Sequence, residues 1–313
     1  MALLKLHAPT KDYLWGGNRL VSEYGKQSAG EVTAESWELS CYPGSESVIV
    51  NGEFAGRTLT EYLSESGKRV LGKNCEKFED FPILIKLIDA KQDLSIQVHP
   101  SDEYALRNEG QYGKTEMWYI IDAKEDAFLY YGFNRKVSKE EFRKRIEEQT
   151  LTEVLNAYPV STGDVVFIEA GTVHAIGEGI LLAEIQQNSN LTYRVYDYGR
   201  RDKDGNLREL HVEKALEVTD LNPVKRIPRP EPHIGMCKYF TVDKVFLTGS
   251  KIKKFCGTVD DASFLHVLFL SGNGEIKNGC GGMMFQKGDS FFLPAGGGNF
   301  EICGECEALL TYI

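Results

Sequence analysis

The chain has 313 residues, 42% of them hydrophobic, and a formal net charge of −10. That is enough apolar material for one large or two ordinary domains. The acidic balance argues against nucleic acid as the main partner, since a phosphate backbone is met by basic patches, and no apolar run reaches the length of a membrane span. The opening segment, MALLKLHAPTKDYLWGG, lacks the long apolar stretch and small-residue cleavage site of an export signal. The seven cysteines, Cys41, Cys75, Cys237, Cys256, Cys280, Cys303 and Cys306, are odd in number and irregularly spaced, which fits free thiols in a reducing cytoplasm. Cys303-Gly-Glu-Cys306 has a C-x-x-C spacing, but no second Cys or His pair completes a zinc site around it.

Most of the chain reads as short strands broken by Gly, Pro, Asn and Asp. In chain order these are 47–50, 84–88, 118–121, 128–131, 165–168, 264–270, 290–293 and 308–312. Such spacing favours a mainly β sandwich or barrel. Three helices interrupt it. The first is TLTEYLSES at 58–66. The clearest runs from Ser138 to Leu155, with Ser138 as N-cap and Glu141 completing a capping box. The third is LHVEKALEV at 210–218.

Residues 221–233, LNPVKRIPRPEPH, hold four of the ten prolines and cannot sustain a helix or a central strand. They divide the chain into an expected catalytic unit at 1–220 and a C-terminal barrel at 234–313. Each side carries one copy of an internal repeat: STGDVVFIEAGT from Ser161 and QKGDSFFLPAG from Gln286. Both are a Gly-Asp turn, a short apolar strand, then Ala-Gly. The first copy continues to His174, the second through glycines to Asn299.

Gln97 and His99 in SIQVHPSD lie two apart on a strand-like run, so they share one face while Ile96 and Val98 take the other. With Glu116 in GKTEMWYII and His174 after the first repeat, they form a set of metal-ligand types. Two imidazoles and one carboxylate suit Zn²⁺ or another first-row divalent ion. A neutral Gln oxygen as fourth ligand keeps the ion Lewis acidic. A second cluster, LLAEIQQNSNLTYRVYDYGR at 181–200, carries Glu184 and Arg194, and its place after His174 sets it beside the metal.

Together with DYLWGG, the stretches SIQVHPSD, GKTEMWYI, AGTVHAIGEG and LLAEIQQNSNLTYRVYDYGR resemble the short bacterial form of type I mannose-6-phosphate isomerase, a cupin family, over nearly the whole chain. The resemblance implies two jelly-roll barrels with a few helices in or flanking the first, and one Zn²⁺ in the first barrel alone. It implies Gln97, His99, Glu116 and His174 as ligands, Arg194 as the catalytic arginine, and Lys114 and Glu184 at the substrate cleft. Trp15, Ser101 and Lys86 complete the expected substrate contacts. Longer family members have a fuller N-H-K-P-E around the glutamate ligand, where this chain has Gly113-Lys114-Thr115-Glu116.

The implied reaction interconverts mannose 6-phosphate and fructose 6-phosphate through a cis-enediol(ate), with Glu184, Lys114 or a metal-bound water as base. The expected partner is a small sugar phosphate, with no nucleic acid or membrane, and the expected state a monomer or weak dimer. Two other readings are a metal-dependent cupin oxygenase, separable by metal identity and oxygen uptake, and a non-catalytic sugar-phosphate-binding cupin, separable by turnover.

Overall fold

Ile83–Ala90 and Ile180–Gln187 pair antiparallel along their whole length, and every residue of both strands is buried. A strand buried on both faces reads as a near-continuous apolar run rather than an alternation, as ILIKLIDA and ILLAEIQQ do. In this computed structural model, which describes residues 2–28, 30–201, 205–225, 230–249 and 254–313, they are the centre of a six-stranded sheet. Its order is Val165–Ile168, Glu116–Ala123, Ile180–Gln187, Ile83–Ala90, Glu35–Leu39 and Thr10–Lys11.

One face of this sheet meets a five-stranded sheet ordered Tyr193–Tyr196, Ile96–Val98, His174–Ile176, Phe128–Phe133 and Leu155–Pro159. Ile88, Trp118 and Leu182 from the first sheet pack with Leu129, Tyr131 and Ile176 from the second. The other face packs on the C-terminal half: Ile85, Leu87, Met117 and Ile185 share a core with Phe264, Leu268, Phe292 and Leu309. Burial of both faces makes the six-stranded sheet a rigid platform for anything projecting from it.

The C-terminal half forms most of a nine-stranded sheet around Leu265–Asn278 and Gly298–Tyr312. Its own core is aromatic and aliphatic: Val267, Phe269, Ile276, Phe285, Phe291, Phe300 and Ile302. The architecture is mainly β, two jelly-roll units with a few helices. Leu4–His7 pairs with Ser290–Leu293 and with Val48–Ile49, so strands from the N-terminal segment complete the C-terminal sheet, across the division placed at the proline-rich segment. Residues 226–229 of that segment lie outside the described residues. Among the described residues, no helix is long and apolar enough to cross a membrane.

Local chemistry explains where elements stop. Thr58 caps Leu59–Ser66 with a full capping box on Glu61. Ser138 caps Lys139–Glu147, but the Glu141 carboxylate pairs with Arg135 instead of returning to the cap, so the expected box is only half made. That helix ends eight residues early: Gln149 takes a positive φ of 57°, and the chain resumes as a 3₁₀ turn at Leu151–Val154. The two long C-terminal strands were legible only in part, because Ser271-Gly-Asn-Gly274 reads as a turn. The strand continues through it with a register shift after Phe269. Gly272 has φ +81°, and a Cβ there would lie 1.9 Å from the Glu305 carbonyl oxygen; only glycine lets the two backbones approach so closely.

Candidate functional site

Cross-strand partners share a face of a sheet, and two rows of such partners build the site. Across the five-stranded sheet run Arg194, Gln97, His174 and Tyr131. Across the six-stranded sheet run Trp37, Lys86, Glu184 and Trp118. The rows face one another, with the Trp118 and His174 rings edge to face at 5.4 Å. Glu116, opposite Gln186 on the neighbouring strand, joins Glu184 on the inner face by the two-residue period.

His99, Glu116 and His174 are fully buried, and their donor atoms lie within 4.8 Å of one another. Glu116 Oε1 is 3.3 Å from His174 Nε2, and Oε2 is 3.7 Å from His99 Nε2. Ligands about 2.05 Å from a tetrahedral ion stand roughly 3.4 Å apart, so the spacing fits a small divalent cation. The tautomers agree. His99 Nδ1 donates to the Leu191 carbonyl and His174 Nδ1 to the Thr172 carbonyl, both at 2.8 Å. Each Nε2 is left as a lone pair facing Glu116, the usual outer-shell arrangement of a metal-binding histidine. Burial, reinforced by the Lys114 charge, lowers both imidazoles, His174 to about 4, so both are neutral, as ligands must be. Glu116 Oε1 has no hydrogen-bond donor. The Lys114 ammonium sits against Glu116 Oε2 and 3.2 Å from His99 Nε2. Gln97 brings its amide within 3.5 Å of His174 Nε2.

Beside the triad lies a cavity of about 190 Å³. Lys86, Lys114, Gln97, Glu184, Arg194 and Trp15 all line it, so the structure brings together six of the residues expected at the site. Glu184 is held on three sides, by Lys86 at 3.3 Å, Lys114 at 3.6 Å and the Trp118 indole N–H at 2.9 Å. Burial pushes its carboxyl up, but the two ammonium groups outweigh that and hold it below the usual range. Burial works against the Lys86 charge, and Glu35 and Glu184 more than offset it. Glu116 goes the other way: burial and the nearby Glu184 charge raise it.

Ser101 is not at the cavity. It is exposed and stands at the N-cap position of the helix Asp102–Asn108, a helix the sequence pattern did not signal. Ser95 occupies the place expected for it, lining the cavity and accepting from Arg194 Nε at 3.3 Å. The signal was present: Ser95, Gln97 and His99 alternate on one face, and Ser101 lies past Pro100, where the strand has ended. Glu35 and Trp37 were also missed, though they alternate in ESWEL; the Trp37 indole donates to Glu35 at 2.7 Å. Arg208, which lines the cavity too, lies on an irregular segment with no local pattern to mark it.

Residues 3–151 match the family model described as phosphomannose isomerase type I, catalytic domain, and residues 232–313 the one described as mannose-6-phosphate isomerase, cupin domain. Mannose-6-phosphate isomerase ManA of Bacillus subtilis is 39% identical over 97% of this chain and 96% of its own length. The mannose-6-phosphate isomerase of Streptococcus mutans is 38% identical over 96% and 94%. The chain belongs to the type I mannose-6-phosphate isomerase family. Its class of activity is that family's: it is an isomerase of mannose 6-phosphate. The crystal structure of the Bacillus subtilis mannose 6-phosphate isomerase superposes with a TM-score of 0.91 at 36% identity, covering all of both chains. A zinc-bound mannose 6-phosphate isomerase shares the fold at a TM-score of 0.77 and 16% identity, over 100% of this chain and 99% of its own.

Proposed function

We propose that the chain interconverts mannose 6-phosphate and fructose 6-phosphate by proton transfer through a cis-enediol(ate), with one Zn²⁺ held by His99, Glu116 and His174 and by Gln97 as fourth ligand. The observation that carries this is the placement of a neutral-imidazole and carboxylate donor set beside a cavity that is lined by the Gln97 amide together with Lys86, Lys114 and Glu184. Turning the Gln97 amide presents its oxygen in place of its nitrogen. Bound there, a divalent ion supplies Lewis acidity toward sugar oxygens. The relatives' names point to the same substrate, and the zinc-bound neighbour to the same metal.

In this reading Glu184 takes the proton from the sugar carbon. It is ionised, faces the cavity, and has one oxygen without a hydrogen-bond donor. Lys86 and Lys114 keep it ionised and stabilise charge developing on the adjacent sugar oxygens. The platform sheet fixes Lys86 and Glu184 as cross-strand partners, and the Lys114 backbone N–H donates to the Pro100 carbonyl just before the neighbouring strand, so little reorganisation accompanies charge development. Residues 1–220 supply the machinery, and 234–313, completed by Leu4–His7 and Val48–Ile49, form the second unit that backs it.

A coupled assay with mannose 6-phosphate on zinc-loaded and chelator-treated protein tests the metal and the activity together. Turnover in D₂O tests the route: deuterium must enter the carbon that exchanges its proton, whereas a direct hydride shift leaves the sugar unlabelled. Glu184→Gln should lower kcat by about 10²- to 10⁴-fold, the range of a lost general base, with zinc content unchanged. A variant that retains kcat removes Glu184 from that role.

A further inference from the structure

The cavity is charged unevenly along its length. At its inner end the cations Lys86 and Lys114 are matched by Glu35, Glu116 and Glu184 within 4 Å. At its outer end stand Arg194 and Arg208. Arg194 donates to Ser95 Oγ and to the Glu209 carbonyl, and among the described residues no carboxylate lies within ion-pair distance of it. Arg208 forks onto Asp197, Nε to Oδ2 at 2.6 Å and Nη2 to Oδ1 at 2.5 Å. Arg200 reaches the same carboxylate, with Nε 3.1 Å from Oδ1. Asp197 is only 6% exposed, and two guanidinium groups share this one buried anion while Arg194 stands beside them without a carboxylate of its own. Arg194 carries the cost: burial, then repulsion by Arg208, lowers its pKa. A half-buried guanidinium without a carboxylate, next to a second one, is a site short of negative charge.

We propose that Arg208, oriented by Asp197, binds the phosphate monoester of the substrate at the outer end of the cavity, and that this grip sets the enzyme's preference for phosphorylated over free sugar. The assignment rests on the isomerase reading above and adds the direction in which the sugar lies: phosphate toward Arg208, the C1–C2 end toward Glu184 and the metal ligands. Asp197 uses Nε and Nη2 of Arg208, and among the described residues Nη1 has no acceptor, which leaves a donor for a phosphate oxygen. A second cavity, lined by Tyr13, Trp15, Arg200, Arg201 and Arg208 among others, adjoins the first at Arg208, so further guanidinium groups stand next to the proposed phosphate position. Asp197 is a positioning residue: without it Arg208 and Arg200 lose the one group that holds them against their mutual repulsion.

The test compares mannose 6-phosphate with unphosphorylated mannose in Arg208→Ala, Arg208→Lys and Asp197→Asn, each checked for parent zinc content and parent melting temperature. Losing one charge-assisted donor to phosphate should raise KM for mannose 6-phosphate by about 10- to 100-fold, with kcat within about twofold, and weaken competitive inhibition by inorganic phosphate in parallel. Turnover of mannose should fall by much less than this, so the preference for the phosphorylated sugar falls. Arg208→Lys should recover part of the loss, because the charge remains without the fork. Asp197→Asn should raise KM for mannose 6-phosphate more than it lowers turnover of mannose. Equal losses on both sugars, or unchanged inhibition by phosphate in a folded Arg208→Ala, overturn the assignment. If the parent protein fails to turn over either sugar, the isomerase reading fails; phosphate binding to the parent and to Arg208→Ala, measured by calorimetry, then still decides the anion site.

Discussion

The two copies of the Gly-Asp…Ala-Gly unit build the same turn and strand and then diverge. In the first, Val165–Ile168 leads to His174, which is completely buried between two sheets. In the second, Ser290–Leu293 leads to Asn299, which is exposed and accepts from the Thr258 hydroxyl. The interiors follow suit. One contains two imidazoles, three carboxylates and two lysines around a cavity; the other stacks Phe269 on Phe285 with ring centroids 3.7 Å apart and sets Phe291 edge-on at 5.9 Å. The repeated residues are those that shape backbone, and the divergent ones are those that point inward. One unit is therefore built around buried polar groups that are held in ion pairs among Lys86, Lys114, Glu35, Glu116 and Glu184, while the other keeps an apolar core that stabilises the platform behind the site.

The largest effect expected from breaking this contrast comes from the ligands. His99→Ala and His174→Ala should each lower zinc affinity by more than about 100-fold, beyond what loss of an outer-shell partner costs, and abolish turnover with it. Asn299→Ala, at the corresponding place in the second repeat, should change neither. Metal content by mass spectrometry, read beside the coupled assay, decides; a histidine variant with parent zinc and parent turnover is no ligand.

The mirror experiment is Phe269→Ala. Truncating a fully buried aromatic ring costs about 3–5 kcal/mol, measurable by urea denaturation, while kcat per folded molecule and zinc content should stay at parent values. A folded variant with collapsed kcat would mean that the second core acts on the site directly and not only through stability.

Arg194→Ala comes next. Arg194 sits directly across the strand pair from Gln97, nearer the reacting end than Arg208 if the two guanidinium groups have separate tasks. Its loss should reduce kcat by about 10²-fold, the scale of one charge-stabilising donor, and leave zinc in place, since arginine cannot ligate a cation. A rise in KM alone would instead assign Arg194 to the phosphate beside Arg208.

These contrasts also show what the sequence could reveal. His99, Glu116 and His174 were legible because polar residues at strand spacing in otherwise apolar runs need a reason to be inside. Val165–Ile168 and Ser290–Leu293 were legible to the residue, because a Gly-Asp turn and an Ala-Gly stop bracket each. Ser95 was passed over for Ser101 because a strand end cannot be placed to the residue by composition alone. Arg208 was invisible for a deeper reason. Its role arises from Asp197 and from two cavities that meet at its side chain, and long-range placement of an irregular segment leaves no periodic trace.

The smallest effect concerns pH, and it isolates the second unit from the first. His266 is fully buried, and its Nε2 donates to Ser290 Oγ at 2.7 Å, whose own hydroxyl donates to the Glu38 carbonyl. Burial, helped by the Lys26 charge, lowers this imidazole from 6.5 to about 3. Between those values the unfolded chain binds a proton that the folded chain refuses. Stability is therefore complete above pH 6.5 and is lost as pH falls toward 3, by about 1.4 kcal/mol for each unit below 6.5. At pH 5.5 the loss is about 1.4 kcal/mol. His99 and His174 add slopes of the same sign, so the parent's curve alone does not isolate His266. The difference between parent and His266→Gln does: the variant should show a shallower decline in unfolding free energy between pH 6.5 and 5, by close to one proton, with zinc content unchanged at neutral pH. Parallel curves for the two proteins would show that His266 takes up its proton without unfolding, and that the second core tolerates a charge which its aromatic packing should exclude.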